Sequence, residues 1–328
     1  MLTSYMHAEG RVAVREGLLP VAELAQAVWI DLLNPTHEEE RAVQAALHLE
    51  VPTREEMEEI ESSSRLYRED DVLFLTANFL FGADGPEYGS TPITFVLAPQ
   101  ALVTVRYQTP KAFTTFAHRC QKTPAMLGSP DAVMLHLFEQ IVDRIADILE
   151  RVGGDMDRTS GAAFRSARAK VKANARDADL REALLTLGQV GEVTTRASET
   201  LLGLSRILTF VGAEKATAVR KENQALIKTL VRDVRSLVEH AGVLNGKANF
   251  LLDAVLGIIN VEQTNIIKTF TVASVALMPP TLIASIYGMN FKFMPELDQP
   301  WGYPFALALM AASVAAPFLY FRRKGWLR

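Results

Sequence analysis

Through about Thr109 apolar positions fall in short runs broken by turn residues, and after Ser129 they recur every three or four residues. The first pattern predicts strands. They are expected at Gly10-Arg11-Val12-Ala13-Val14, Ala27 to Leu32, Val72 to Thr76, Ile93 to Leu97 and Leu102 to Arg106. Between them, Thr36 with Glu39 three residues on predicts a capped helix through Leu47. Residues 1–128 are therefore expected to form a mixed α/β domain, and its sequence contains no phosphate-cradling glycine loop and no metal-ligand spacing.

The second pattern, seen at Met134, Leu137, Ile141 and Ile145, predicts two long helices across Asp131 to Phe210, a helical hairpin within 129–216. Asp155 to Arg176 is a polar region within them. After Gly212 apolar residues repeat in sevens at Ile227, Val234, Ala241, Ala248 and Val255, and again at Leu230, Leu237, Leu244, Leu251 and Ile258. This is the rhythm of a helix packed along other helices. No proline interrupts it before Pro279. A continuous helix from Thr217 to Ile286 would be on the order of 100 Å long at about 1.5 Å per residue. Residues 217–268 then read as a stalk running toward a bilayer.

Thr269 to Phe291 and Gln299 to Phe321 each hold 23 residues without Asp, Glu, Lys or Arg. Each is long enough to cross a hydrocarbon core about 30 Å thick. The segments expected are a first span at 269–290, a loop at 291–300, a second span at 301–321 and a basic tail at 322–328. Arg322, Arg323, Lys324 and Arg328 follow the second span, Lys268 precedes the first, and the loop sets Lys292 against Glu296 and Asp298. The positive-inside rule places both termini in the cytoplasm. Trp301, Tyr303 and Trp326 stand near the ends of the second span, where amphipathic rings favour the interface.

Composition agrees with a soluble portion joined to a membrane portion. Apolar residues make up 49% of the 328, yet acidic runs such as Glu38-Glu39-Glu40 and Glu55-Glu56 crowd the first third. A net charge of −4 and no concentrated basic face argue against nucleic acid as a partner. Met1 to Gly10 has no apolar stretch after basic residues, so no cleavable signal peptide is expected. The soluble part is expected in the cytoplasm, with the spans in the inner (plasma) membrane. The single cysteine, Cys120, excludes an intramolecular disulfide and reads as a small apolar helix residue. Six histidines, at 7, 37, 48, 118, 136 and 240, show no paired spacing. With no nucleophile and base arrangement beside them, neither an enzyme nor a small organic substrate is expected.

The first span carries a polar stripe. Thr264, Thr271, Met278 and Ser285 repeat every seven residues, as do Asp253, Asn260, Ile267, Ser274 and Thr281, and the two series interleave along one helix face. Small hydroxyl residues mediate close helix packing in membranes. They also line pores, where hydroxyls and amides exchange hydrogen bonds with water or a hydrated ion. A single helix cannot enclose a pore, so the second reading needs several copies, and the heptad stalk offers a reason for copies to associate. Pro279-Pro280 removes two backbone donors within the span, a kink that membrane helices tolerate.

At the end of that span stands Tyr287-Gly288-Met289-Asn290-Phe291, followed by Met294-Pro295-Glu296-Leu297 and Gly302-Tyr303-Pro304. Together with Asn260-Val261-Glu262-Gln263, Ile266-Ile267-Lys268, Pro279-Pro280-Thr281-Leu282 and the tail Phe321 to Leu327, this resembles the CorA magnesium and cobalt transporter family. The specific resemblance covers about Leu251 to the end. It implies a homopentamer with a funnel-shaped cytoplasmic assembly, the first spans lining a pore and the second spans outside them. It also implies a selectivity filter of Gly288, Met289 and Asn290 at the outer mouth, with Asn290 side chains meeting the incoming ion. Asn290 read by itself also fits a polar helix cap.

The chemistry of such a ring is reasonable. Mg²⁺ holds its octahedral water shell tightly, so neutral carbonyl and amide oxygens can bind the hydrated ion without stripping it. Gly288 then serves a positive φ or a close backbone approach, and Met289 packs, since its thioether is a soft ligand for a hard ion. Glu296 and Asp298, repeated around a ring, would concentrate cations outside; taken singly they are ordinary loop acids.

The resemblance further implies closure by cytoplasmic Mg²⁺ bound between subunits at acidic positions. Asp233 resembles a stalk position of that kind, with Asp84 as a possible partner, although an exposed helix aspartate is also ordinary surface charge. Asp253 falls in the phase of the stripe and would place carboxylates at the cytoplasmic mouth. Expected cargo is Mg²⁺, with Co²⁺ or Ni²⁺ as alternatives of similar charge, radius and aquo shell. The rival is a proton-coupled zinc transporter of the related ZntB type, whose members usually depart from Met in the triplet and lack the Met-Pro-Glu-Leu loop.

Overall fold

The computed structural model describes residues 1–8, 11–85, 87–168, 173–213, 219–290, 294–295 and 299–326. Two compact units divide the chain, Met1–Leu252 and Asp253–Arg328. The first begins with β1 (Leu2–Ala8), β2 (Arg11–Glu16), α1 (Val21–Leu24), β3 (Trp29–Leu33), α2 (His37–Leu47), α3 (Arg54–Glu58) and α4 (Ser62–Arg65). Next come β4 (Leu66–Glu69), β5 (Val72–Phe81), β6 (Gly89–Leu97), β7 (Leu102–Arg106) and α5 (Lys111–Lys122). Three long helices follow: α6 (Pro130–Arg168), α7 (Ala173–Ala213) and α8 (Gln224–Tyr287), the last continuing into the second unit, which also holds α9 (Gly302–Arg323).

The strands form one sheet in the order β2-β1-β3-β7-β6-β5-β4, in which only β3 and β7 run parallel. Alternation along each strand decides which core a residue enters. Ile30 and Leu32 of β3, Val103 and Val105 of β7 and Val96 of β6 join Val43 and Leu47 of α2 and Met57 of α3 in one core. On other strand positions Phe95 stacks edge-on against Phe79 and against Phe138 of α6, and Trp29 packs between Tyr5 and Phe116 of α5. Helices thus cover both faces, which is why the inner strands read as continuous apolar runs.

Three local expectations hold. Thr36 and Glu39 make the reciprocal capping box of α2, the Thr36 side chain accepting from Glu39 N and the Glu39 carboxylate from Thr36 N. Cys120 is buried in α5, and burial pushes its thiol up to about 11, so it is an inert packing residue. The polar stretch from Asp155 is helical to Arg168 and again from Ala173, with Met156 and Ala163 buried along it.

Other expectations are corrected. Strands β1 and β4 and helix α5 carry no sequence expectation. In β1 the buried Ser4 blurs the alternation, its hydroxyl donating to Arg15 O at 3.4 Å. The first expected strand begins at Arg11, Gly10 lying outside the described residues, and the second begins at Trp29 rather than Ala27. The long helix starts at Gln224 after a 3-10 turn at Lys221–Asn223, later than Thr217. Asp131 fixes that start: buried at the head of α6, it accepts from Arg220 N at 2.9 Å and from Asn223 Nδ2 at 2.8 Å.

The heptad seam of α8 packs along other helices, as its rhythm predicts, and within one chain. Leu230, Val234, Ala241, Leu244, Ala248 and Leu251 are buried within one chain. Gly153 of α6 faces Leu244, and Gly191 of α7 faces Ala248. Val243 and Phe250, off the seam, remain exposed.

Close packing of α7 on β5 makes one glycine irreplaceable. A Cβ on Gly203 would lie 2.8 Å from the Cβ of Ala77, whereas one on Gly188, in the same helix, meets nothing within 4 Å. Gly203→Val is expected to cost at least about 2 kcal/mol through overpacking, while Gly188→Ala gains up to about 1 kcal/mol of helix propensity. Denaturant unfolding followed by circular dichroism checks both; equal effects at the two sites would contradict the packing account.

Candidate functional site: the polar stripe of the first span

Within the second unit α8 and α9 are both long and apolar enough to cross a bilayer. Helix α8 continues through Pro279 and Pro280 to Tyr287 without a break. Along it Asn260, Thr264, Ile267, Ser274, Met278, Thr281 and Ser285 are exposed, and Thr271 is half-buried. The stripe therefore stays open in a single copy of the chain. Steps of four and three keep it on one face, because seven residues nearly complete two turns.

The threonines of the stripe share one arrangement. Thr264 donates to Asn260 O, Thr271 to Ile267 O and Thr281 to Leu277 O, each at 2.8 Å. A hydroxyl whose proton is committed to its own backbone offers only lone pairs outward. These threonines consequently present acceptors outward, the partners suited to water molecules that donate from a cation's shell.

At the end of α8 the backbone tightens. Gly288 N donates to Ala284 O at 2.9 Å, and Met289 N to Ile286 O at 3.2 Å. Gly288 does not adopt positive φ; a Cβ there would instead lie 3.2 Å from Ala284 O, so the close approach is what it serves. Met289 and Asn290 follow, both exposed. Glu296 and Asp298 lie outside the described residues.

After α9 the chain folds back on itself. Trp326 stacks on Phe321 with ring centroids 5.1 Å apart, and the Lys324 ammonium lies over both Tyr320 and Trp326. At the other end Trp301 meets Phe305 edge-on at 5.8 Å. Aromatic rings thus mark both ends of this span, where half-polar groups gain most.

The acidic candidates have contrasting surroundings. Both carboxylate oxygens of Asp84 are engaged: Arg151 donates at 2.6 Å and Lys111 at 3.1 Å, and Arg144 also pairs with it. Hydrogen bonds from Arg151, Lys111 and Arg144 hold its carboxyl well below the usual range. Asp233 is exposed on α8. Its charge reaches Asp143 of α6, whose carboxyl is raised by burial first and then by Glu139, Asp147 and Asp233. Asp253, at the head of the stripe, is exposed. Among the described residues no group of three or more His, Cys, Asp and Glu side chains converges to hold a metal ion.

An α/β unit followed by a long helix with an open polar face and a shorter apolar helix defines a two-span membrane protein with a soluble domain. The sequence profile described as "CorA-like Mg2+ transporter protein" matches residues 25–323, and the chain belongs to that family. It is 36% identical over 304 residues to "Magnesium transport protein CorA" of Escherichia coli (strain K12), covering 93% of each chain. A relative of the same name in Salmonella typhimurium is 35% identical over the same length and coverage.

Solved structures agree in fold. The complete CorA magnesium transporter of Methanocaldococcus jannaschii superposes with a TM-score of 0.74 at 15% identity, covering 100% of this chain and 99% of that one. The full-length CmaX protein gives 0.65 at 13%, covering 98% and 97%. The ZntB cytoplasmic domain from Vibrio parahaemolyticus gives 0.53 at 9%, covering 79% and 97%.

Proposed function

We propose that the protein is a passive channel for Mg²⁺, admitting Co²⁺ and Ni²⁺ as ions of similar charge and aquo shell, built from five copies around the α8 stripe. The observation that carries this reading is the open, hydroxyl-bearing face of α8 leading to Gly288-Met289-Asn290. Family membership and the relatives' names give the ion. Acceptor-only threonines and neutral Asn290 amides would bind the ion's water shell rather than the metal, which costs no dehydration and permits release. The work is supplied by the membrane potential: two charges crossing about 100 mV gain roughly 4.6 kcal/mol, enough for about a thousandfold accumulation. Both termini face the cytoplasm in this reading, and Glu296 and Asp298 draw cations to the outer mouth.

Closure by internal Mg²⁺ would use acids brought together only between copies. Asp233 and Asp253 are available for this, and Asp84 would first have to leave Lys111, Arg144 and Arg151. Asp253→Asn is expected to change conductance or inhibition by internal Mg²⁺ by several-fold, since a ring of charge at a pore mouth sets the local cation concentration. Unchanged currents in both measurements would remove Asp253 from the pore.

The decisive test of transport is uptake into vesicles holding the purified protein, with Mg²⁺ or Zn²⁺ outside, with and without a proton gradient. Mg²⁺ uptake driven by potential alone is expected. Zn²⁺ uptake that collapses with the proton gradient would instead establish the zinc-coupled alternative.

A further inference from the structure

Far in sequence from the pore stripe, the first unit encloses a cavity of about 350 Å³ between the end of β5, the first turn of α5 and the middle of α6. Its walls are apolar: Phe79 and Leu80 of β5, and Ile141, Ile145 and Ile148, which share one face of α6. Two hydroxyls among the lining residues are already committed. Thr200 accepts from Leu80 N at 2.9 Å and donates to Arg196 O at 3.2 Å, and Thr109 accepts from Arg106 at 2.8 Å. Thr200 is thus fully engaged, and Thr109 keeps only its hydroxyl proton to offer an occupant.

The mouth is the opposite. Lys111 and Arg144 line it, and with Arg151 they converge on the single carboxylate of Asp84. Arg151 also donates to Ala83 O at 2.6 Å. Asp84 reaches this place on the turn after β5, which depends on Gly82: φ there is +70°, and a Cβ would lie 2.0 Å from Glu87 O. Three cations meet the Asp84 carboxylate, and Glu87 also lines the pocket, so the three outnumber these two acids by one charge. The N-terminus of α5 adds to it, since no side chain caps that helix.

We propose that this cavity binds a small organic monoanion with an apolar body, its acid group replacing Asp84 on Arg144 and Lys111 and its body lying against Phe79, Ile145 and Ile148. Size agrees, since a cavity of about 150 Å³ takes benzene and this one is larger than twice that. Asp84 is then an internal competitor, an acid of the chain occupying the position of the ligand's acid. A polyphosphate is disfavoured because the excess charge is single and the walls are mostly apolar.

The test uses the full chain in phosphatidylcholine nanodiscs and 4-(trifluoromethyl)phenylacetate as probe, read by ¹⁹F line broadening against empty discs. Saturable binding is expected, with no competition from the neutral 4-(trifluoromethyl)phenylacetamide. Arg144→Gln should weaken it about tenfold through loss of a charge-assisted pair. Asp84→Asn should tighten it roughly fivefold or more, because the competent mouth becomes fully populated. If Arg144→Gln fails to fold, Lys111→Gln, on an exposed side chain, takes its place. Broadening no greater than in empty discs, equal competition by the amide, or an Asp84→Asn variant that binds no tighter would each overturn the proposal.

Discussion

Asn290→Ala is expected to reduce Mg²⁺ uptake by on the order of a hundredfold or more while leaving assembly intact. In the proposed channel each copy would lose an amide that accepts from the ion's water shell, worth about 1 kcal/mol, and the loss would repeat in every copy around the axis. Coupled losses at one ring do not add simply, yet a few of them exceed the roughly 2.7 kcal/mol that a hundredfold requires. Asn290 is exposed beyond the end of α8, so truncating it leaves no cavity and no orphaned buried group. Uptake into vesicles, normalised to correctly assembled protein, is the measurement. Wild-type rates in the alanine variant would remove Asn290 from the filter. Asn290→Asp makes a sharper comparison: a carboxylate ring should bind Mg²⁺ more tightly and pass it more slowly, since conduction needs an ion that leaves.

The second large effect belongs to the soluble unit. Arg106 of β7 and Asp31 of β3 form a buried, two-pronged pair, at 2.9 Å from Nε and 2.7 Å from the terminal nitrogen. Thr104 donates to the same carboxylate at 2.7 Å, Trp29 donates to Thr104 at 3.0 Å, and the Arg106 guanidinium lies 4.9 Å from the Phe113 ring centroid. Parallel strands with helices on both faces leave no water to replace a missing partner. Removing one charge strands the other, so Arg106→Leu is expected to cost about 3–5 kcal/mol. At roughly 2–4 °C per kcal/mol for a unit of this size, the unfolding midpoint should fall by about 6–20 °C. Replacing both, Asp31→Leu with Arg106→Met, should recover much of the loss, because a buried pair and its apolar replacement differ little. Thermal melts of the three variants decide it; a single replacement costing under about 1 kcal/mol would contradict the account.

Most of what concerns the membrane was legible in the residues. Two charge-free runs of 23, the interleaved sevens from Asp253 to Ser285 and the triplet Gly288-Met289-Asn290 need no folding to be read, since a bilayer imposes length and polarity on each span independently. The capping box at Thr36 was legible for a similar reason, being complete within four residues. Strand β1 was not, because its place between β2 and β3 depends on pairing with residues far along the chain and its buried Ser4 hides the alternation.

What the sequence by itself determined is the division into a soluble α/β part and two apolar helices, the face of α8 that carries hydroxyls, and the family to which its C-terminal motif points. All of these follow from local composition and helical period. The tertiary structure alone decided the partners. It buried the α8 seam inside one chain, gave Asp84 to Lys111, Arg144 and Arg151, and tied the start of α8 to Asp131. Charge and hydropathy say that a side chain needs a partner, but which one it finds depends on contacts between residues distant in sequence.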